Sequence, residues 1–300
     1  MIPEPRPARC NYNQLKLPGW FKQEIPGRET LKIRDLISRL GVHTVCREAA
    51  CPNMTKCFND RELTFMILGD TCTRTCSFCA VKKKRNYSGA LDRDEPRKIA
   101  DAVRLLGLKY TVITSVTRDD LVDGGSCVFA EVIRLIKSHN INTKVEVLVP
   151  DFSGNTESIK EILSAKPDVL AHNIETVNRL YNELRPEADY MRSLGLLSKS
   201  KELDKNVVTK SSIMVGLGET EEEIIKTMED LRNSFCDILT LGQYLAPSKE
   251  HYPVREFVSV ARFEKYREFG IHLGFKAVLS MPLARSSYKA EKIFQEAGYV

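Results

Sequence analysis

No run of apolar residues in this sequence is long enough to cross a bilayer, so no transmembrane helix is expected. The segment Met1–Pro7 lacks the apolar core of a secretory signal. With Glu4 and three prolines, it does not make an amphipathic transit segment either. The expectation is a cytoplasmic protein. Charge of one sign is also scarce. Forty-five Lys and Arg against 40 Asp and Glu leave a net of +5. That excess can help to attract an acidic partner protein but falls short of a nucleic-acid footprint. Neither nucleic acid nor membrane is therefore an expected partner. The densest basic run, Lys82-Lys83-Lys84-Arg85, reads as a solvated loop. Internal repeats and low-complexity segments are absent.

Cysteine, by contrast, is plentiful. The 300 residues include nine, an odd number, in a chain without an export signal. Disulfides rarely persist in a reducing compartment, where clustered cysteines more often hold metal. Apolar content of 42% and charged content of 28% suit an ordinary globular protein with a large core.

Residues 1 to 30 read as an irregular arm, followed by helical spacing over Leu31–Leu40. Thereafter strand-like and helix-like segments alternate. Predicted strands are Leu63–Leu68, Tyr110–Ser115, Lys144–Val149, Val169–Ala171, Val207–Val215 and Ile238–Gln243. They are short, β-branched and continuous in apolar character, as strands covered on both faces are. Predicted helices are Arg97–Leu106, Cys127–His139, Ser158–Ser164, Ala188–Lys199 and Glu221–Asn233. Asp94 with Arg97, and Thr220 with Glu223, sit at helix starts, the second pair at capping-box spacing. The tail from Phe275 adds one more strand and a short helix. Such alternation implies a parallel sheet, either a barrel or an open doubly wound sheet, with functional loops after the C-terminal strand ends.

Cys72, Cys76 and Cys79 form C-x3-C-x2-C just after the first predicted strand. Three thiolates on a short loop can bind three irons of a [4Fe–4S] cube, leaving the fourth open to an exogenous ligand. A zinc knuckle or redox pair is the plainer alternative, since Cys76 and Cys79 are also C-x-x-C. Zinc needs a fourth ligand nearby, and no histidine lies within twenty residues. Upstream, Cys46, Cys51 and Cys57 form C-x4-C-x5-C outside any periodic element. Scattered buried thiols are the plainer reading there. Cys10, Cys127 and Cys236 fit no ligand spacing, and Cys236, before a strand, reads as core.

The C-x3-C-x2-C spacing, with aromatic Phe78 before its last cysteine, resembles the radical S-adenosylmethionine superfamily. The two triplets together with Arg285-Ser286-Ser287-Tyr288 near the C-terminus resemble the lipoyl synthase family within it. The similarity runs from about Pro18 to Ala290. It includes Thr64–Asp70, Thr114–Val116 with Arg118–Leu121, Asp123-Gly124-Gly125, His172–Val177, Gly216–Thr220 and Gly242–Leu245, each where a strand is predicted to end. Departures are local. Arg47, Lys56 and Phe58 stand where the family usually has acidic residues and a tryptophan, and Ser212 replaces a glycine.

The resemblance implies a partial (β/α)6 TIM-type barrel of the radical SAM kind over residues 63–274. It also implies an N-terminal extension, 1–62, carrying the first triplet, and a C-terminal one, 275–300, carrying the R-S-S-Y motif. It implies two [4Fe–4S] clusters, one on Cys72, Cys76 and Cys79 with S-adenosylmethionine. The other is auxiliary, on Cys46, Cys51 and Cys57 with Ser287 as fourth ligand. The implied reaction inserts two sulfurs at C6 and C8 of an octanoyl chain on a lysine, the auxiliary cluster giving up its sulfide. A hard oxygen ligand at Ser287 would mark the iron that leaves.

Implied cofactor contacts are Asn173 and Glu175. Thr114 is a further candidate, its alternative being to satisfy local backbone. So is Arg185, its alternative an exposed salt bridge. Gly124 and Gly125 give either close approach or a turn, Gly216 and Gly218 are a weak motif, and His43 and His172 are the histidines nearest the motifs. Implied partners are octanoylated lipoyl carrier domains (2-oxoacid dehydrogenase E2 subunits and the glycine cleavage H protein). An electron donor such as flavodoxin or ferredoxin and an iron–sulfur carrier complete the set. Rivals are a methylthiotransferase, a biotin synthase-like sulfur inserter, and a zinc-stabilised binding module. The expected geometry brings Cys46, Cys51, Cys57 and Ser287 together, facing the other triplet across a substrate-sized gap.

Overall fold

The computed structural model describes residues 18–21, 24–139 and 142–299. Met1–Pro7, Cys10 and most of the expected irregular arm lie outside the described residues. The strands are His43–Thr44 (β1), Thr64–Ile67 (β2), Thr71–Cys72 (β3), Lys82–Lys83 (β4), Tyr110–Ser115 (β5), Lys144–Leu148 (β6), Val169–Ala171 (β7), Val208–Val215 (β8), Ile238–Gln243 (β9) and Ala277–Ser280 (β10). The helices are Arg28–Leu40 (α1), Val45–Glu48 (α2), Met54–Asn59 (α3), Glu95–Leu106 (α4), Ser126–His139 (α5), Thr156–Ser164 (α6), Tyr181–Leu184 (α7), Tyr190–Leu203 (α8), Glu221–Asn233 (α9), Val260–His272 (α10) and Ala290–Glu296 (α11). None of the described helices is long and apolar enough to cross a membrane.

One eight-stranded sheet runs β1-β2-β5-β6-β7-β8-β9-β10. Seven strands are parallel, and β1 closes one edge antiparallel against β2, with His43 opposite Met66. The order follows the chain and never reverses. A doubly wound sheet reverses at a switch point, so this sheet is wound as a barrel is. No ladder joins β10 to β2 among the described residues, so the barrel is partial. All six predicted strands are present, and the tail strand makes a seventh.

The sheet curls around its last helix. Val169, Val208, Ile238 and Ala277 stand at or near the starts of four successive strands and pack with Ile293 and Phe294 of α11. Tyr110, which begins β5, meets the Phe294 ring at 5.7 Å. One helix that touches the N-terminal ends of strands so far apart in the sheet plugs the floor of a barrel. Inside, Lys210 Nζ lies 2.8 Å from Glu146 Oε1, and the Tyr110 hydroxyl donates to Glu146 Oε2 at 2.6 Å. With both charges shut off from water, this pair fixes arrangement more than it stabilises.

Helix starts follow local chemistry. Thr220 and Glu223 form the expected capping box on α9. Asp94 makes no side-chain cap. Instead α4 begins at Glu95, whose carboxylate accepts from Leu68 N at 2.7 Å and Gly69 N at 3.3 Å, tying the helix to the end of β2. The helix α10 was not predicted; Ser259 caps it, accepting from Arg262 N. Cys46 and Cys57 were expected outside regular structure but sit on the single turns α2 and α3. The basic run is only partly solvated. Lys82 and Lys83 pair with Thr71 and Cys72, and Lys83 Nζ donates to the Cys76 carbonyl at 2.6 Å.

Candidate active site

The C-terminal ends of the strands, the turn after α2 and the segment after β10 enclose a cavity of about 710 Å³. Cys72, Cys76 and Cys79 lie on its wall, and so do Cys46, Cys51, Arg285, Ser286 and Ser287. Phe21, Val45, Ala49, Leu245, Val254 and Phe257 supply an apolar lining. Cys57 does not reach the cavity surface. It is buried on α3, near enough to the other two thiols for their charge to act on it.

Two long-range contacts bring the extensions together. Asn53 Nδ2 donates to the Leu283 carbonyl at 2.6 Å, and Lys289 N donates to Glu62 Oε2 at 3.3 Å. A third comes from β9. Any side chain at Gly242 would collide with the Ala284 carbonyl, so glycine lets the tail pass close over the strand end. Gln243 N then donates to the Pro282 carbonyl at 3.0 Å. These contacts carry Arg285, Ser286 and Ser287 to the cavity.

Burial, with neighbouring thiolates adding to it, raises the Cys79 thiol to about 11 and raises Cys76 as well. In the other triplet burial raises Cys46 to about 12, with Cys51 adding to it, and raises Cys57, with Cys46 and Cys51 adding. Thiols crowded in this way stay protonated unless a cation draws their electrons, which suits a metal-binding set. Among the described residues no three His, Cys, Asp or Glu side chains converge tightly enough for one metal ion. The irons of a cube stand at separate corners and take thiolates that are further apart.

The candidate cofactor contacts gather on the strand ends after β7. Asn173 Nδ2 donates to Glu175 Oε1 at 3.0 Å, and Ser286 Oγ donates to Asn173 Oδ1 at 2.8 Å. Glu175 has a φ of 66° and joins β8 by a single bridge opposite Ile213. Burial raises its carboxyl, against the Arg185 charge and the Asn173 hydrogen bond. Arg185 is buried, not an exposed salt bridge. Its Nη1 donates to the carbonyls of Asn173 and Ile174 at 3.1 and 3.2 Å and to the Tyr181 hydroxyl at 3.1 Å. Thr114 lines the cavity but donates its hydroxyl to the Leu148 carbonyl at 2.9 Å, the local backbone role.

Of the other candidates, His172 lines the cavity and the rest lie elsewhere. Gly124 and Gly125 make a turn with φ of 59° and 87°, where any side chain at Gly125 would strike Leu68. Neither is on the cavity wall. Gly216 and Gly218 are not on it either. His172 is buried with Nδ1 2.8 Å from the Val149 carbonyl, and burial with the Arg185 charge lowers it to about 4. His43 lies on β1, 3.6 Å from Glu48. Cys236 is buried core, as expected, and Cys127 is exposed.

Several cavity residues carried no signal in the sequence. Met214 and the part of the loop after β9 that follows Leu245 are among them. In that loop Tyr252 N donates to the Ser77 carbonyl at 3.0 Å, and His251 Nε2 lies 3.2 Å from the Cys79 carbonyl. Arg74 did have one available signal, a cation placed between two candidate ligands.

The Radical SAM superfamily model matches residues 66–231, more than half of the chain. That superfamily works with a [4Fe–4S] cluster and S-adenosylmethionine. Among solved structures, methylornithine synthase is similar at a TM-score of 0.55 and 14% identity, covering 89% of this chain and 91% of that one. The hydrogenase maturase HydG from Carboxydothermus hydrogenoformans is similar at 0.54 and 13%, covering 90% and 70%. These likenesses bear on the fold. Curated relatives are much nearer in sequence. The lipoyl synthase of Caldicellulosiruptor bescii is 55% identical over 92% of this chain and 95% of its own length. That of Aquifex aeolicus is 51% identical over 86% and 93%. With half of its residues shared along nearly its whole length, the chain belongs to the lipoyl synthase family.

Proposed function

We propose that this chain inserts two sulfur atoms, at C6 and C8, into an octanoyl group held in amide linkage on a lysine of a carrier domain. When bound, two [4Fe–4S] clusters and S-adenosylmethionine supply the electron, the hydrogen-abstracting 5′-deoxyadenosyl radical and the sulfur, chemistry beyond any side chain. The protein's part is to hold these groups and the substrate in one closed space. Cys72, Cys76 and Cys79 hold one cluster, leaving an iron for the cofactor. Cys46, Cys51, Cys57 and Ser287 hold the other. Asn173 and Glu175 orient polar groups of the cofactor, Arg185 shapes the strand end that carries them, and Thr114 contributes through its remaining lone pairs.

The apolar wall around Phe21, Leu245, Val254 and Phe257 suits an eight-carbon chain and excludes water from a reactive radical. In the proposed division, residues 1–62 and 275–300 are the two extensions and 63–274 the barrel, with β10 of the second continuing the sheet. Partners are octanoylated E2 subunits and H protein, a flavodoxin or ferredoxin, and an iron–sulfur carrier that restores the spent cluster.

One observation carries this reading: members of both thiol triplets and Ser287 face a single cavity. Anaerobic turnover of an octanoyl-lysine peptide with reductant and S-adenosylmethionine tests it by mass spectrometry. The expected product has two hydrogens replaced by two sulfurs. A methylthio product, a product with one sulfur at completion, or unchanged peptide overturns it.

A further inference from the structure

Thr73, Arg74 and Thr75, the three residues between the first two thiols of the barrel triplet, each bond to a part of the rim. The charged one is buried. Arg74 donates through Nε and Nη2 to the two oxygens of Asp119, both at 2.8 Å, and through Nη2 to Asp151 Oδ1 at 2.6 Å. Asp151 accepts on its other oxygen from Arg192 Nε at 2.8 Å, and Arg192 Nη2 donates on to the Glu187 carbonyl at 3.1 Å. Asp119, Arg74, Asp151 and Arg192 thus alternate in sign and sum to zero. The side chains of Arg74 and Asp151 are 4% and 0% exposed.

Buried ion pairs are poor stabilisers compared with an apolar filling of the same volume. Such a filling would hold the loop as well. What it would lack is fixed charge beside the thiols. Arg74 is tied by the chain between Cys72 and Cys76, and its backbone N–H lies 3.5 Å from Cys72 Sγ. The carboxylates reach it from the loops after β5 and β6, and the Arg74 charge acts on the Cys76 thiol.

We infer that Arg74 and its carboxylates form an electrostatic mount for the cluster on this loop, in which Arg74 is a positioning residue that raises the reduction potential and Asp119 and Asp151 limit the rise. The inference rests on the proposed assignment of Cys72, Cys76 and Cys79 as cluster ligands. Reduction adds one negative charge to the cluster. A nearby cation favours that state and a carboxylate opposes it, more strongly where water is excluded. An alternating array lets the potential sit at a value that neither sign alone would give.

The test is an anaerobic potentiometric titration of the holoenzyme, followed by electron paramagnetic resonance. The relevant signal is the one that changes when S-adenosylmethionine is added, since only a cluster with an open iron responds. Arg74→Gln and Arg192→Gln should move its midpoint to more negative potential, and Asp119→Asn to more positive potential. Arg74→Lys, which keeps the charge, should stay near the parent. For Arg74→Gln the reduced-to-oxidised ratio at the parent midpoint should fall about tenfold, or about 59 mV for a one-electron couple. A role confined to folding would change cluster content without opposite shifts. If Arg74→Gln retains no cluster, the partly exposed pair Arg192 and Asp119 carries the comparison. Shifts of one sign, or none beyond the scatter of repeats, overturn the mount alone. A parent protein with no cofactor-responsive signal takes down the proposed function with it.

Discussion

The two thiol triplets share one cavity but are mounted differently. The barrel triplet is stitched to the rim along its length. Thr73 N donates to the Thr117 carbonyl at 3.0 Å, Thr75 Oγ1 to Glu187 at 2.6 Å, and Ser77 N to the Leu184 carbonyl at 2.9 Å. These partners follow β5 and β7, and Tyr252 adds the loop after β9. The extension triplet is bonded mostly within itself. Cys51 N donates to the Cys46 carbonyl at 3.0 Å, and Cys57 N to the Asn53 carbonyl at 2.9 Å. Its proposed fourth ligand comes from a segment more than 200 residues away. A centre that passes an electron and survives needs a rigid cradle. A cluster emptied and rebuilt, as proposed for the extension triplet, is suited by ligands on separable segments, drawn from the less protected parts of a fold.

The largest expected effect breaks the comparison outright. Cys76→Ala should reduce both 5′-deoxyadenosine release and lipoyl formation to background. Cys51→Ala should leave cofactor cleavage near the parent rate while abolishing sulfur insertion. Chromatography of 5′-deoxyadenosine beside peptide mass spectrometry checks both. Loss of cleavage in both variants would mean that the triplets do not act separately.

Ser287→Cys should be next in size. A thiolate is a softer ligand for iron than a hydroxyl oxygen. The variant should keep its iron and sulfide and still cleave S-adenosylmethionine, yet insert little or no sulfur. Normal lipoyl formation would refute a special role for oxygen at this position.

Asn53→Leu sharpens the comparison without touching a ligand. It removes the buried donor to the Leu283 carbonyl, at a cost of about 1–3 kcal/mol for an orphaned acceptor. Urea unfolding should show that loss. Iron should fall from about eight towards four per chain, as two cubes require, with the remaining cluster still cofactor-responsive. Equal loss from both sites would show that the extension is not separately held.

What the sequence disclosed divides along the same line. Strands β5, β7 and β9 match their predicted limits, because continuous β-branched runs are the signature of strands buried on both faces. The triplets stood out as candidates by their spacing in the chain, and the fold brings five of their six thiols to one cavity wall. One-turn helices such as α2 and α3 have no period to detect. In α10, Val260–His272, charged residues interrupt the apolar stripe, which hid it. The Arg74 array was invisible for another reason: its partners lie 45 and 77 residues away, and only the barrel brings them together. Arg185 was legible as a candidate but not as a buried group, because two of its three acceptors are backbone carbonyls that any sequence has.

The smallest expected effect concerns the barrel wall. His172 is neutral in the fold, held near 4 by burial and the Arg185 charge, against an ordinary value of about 6.5. Below 6.5 the unfolded chain takes up a proton that the folded chain refuses until about pH 4. The unfolded state therefore binds more protons in this window, and stability falls as pH drops through it. Between about pH 7 and 5.5 the loss should be about 1 kcal/mol. Carboxyls such as Glu175, raised by burial, act in the opposite sense as they protonate, so the useful quantity is a difference. Urea midpoints of the parent and of His172→Gln, taken across this range, should diverge with the parent falling faster. Parallel lines would mean that His172 is protonated as readily in the barrel wall as in water.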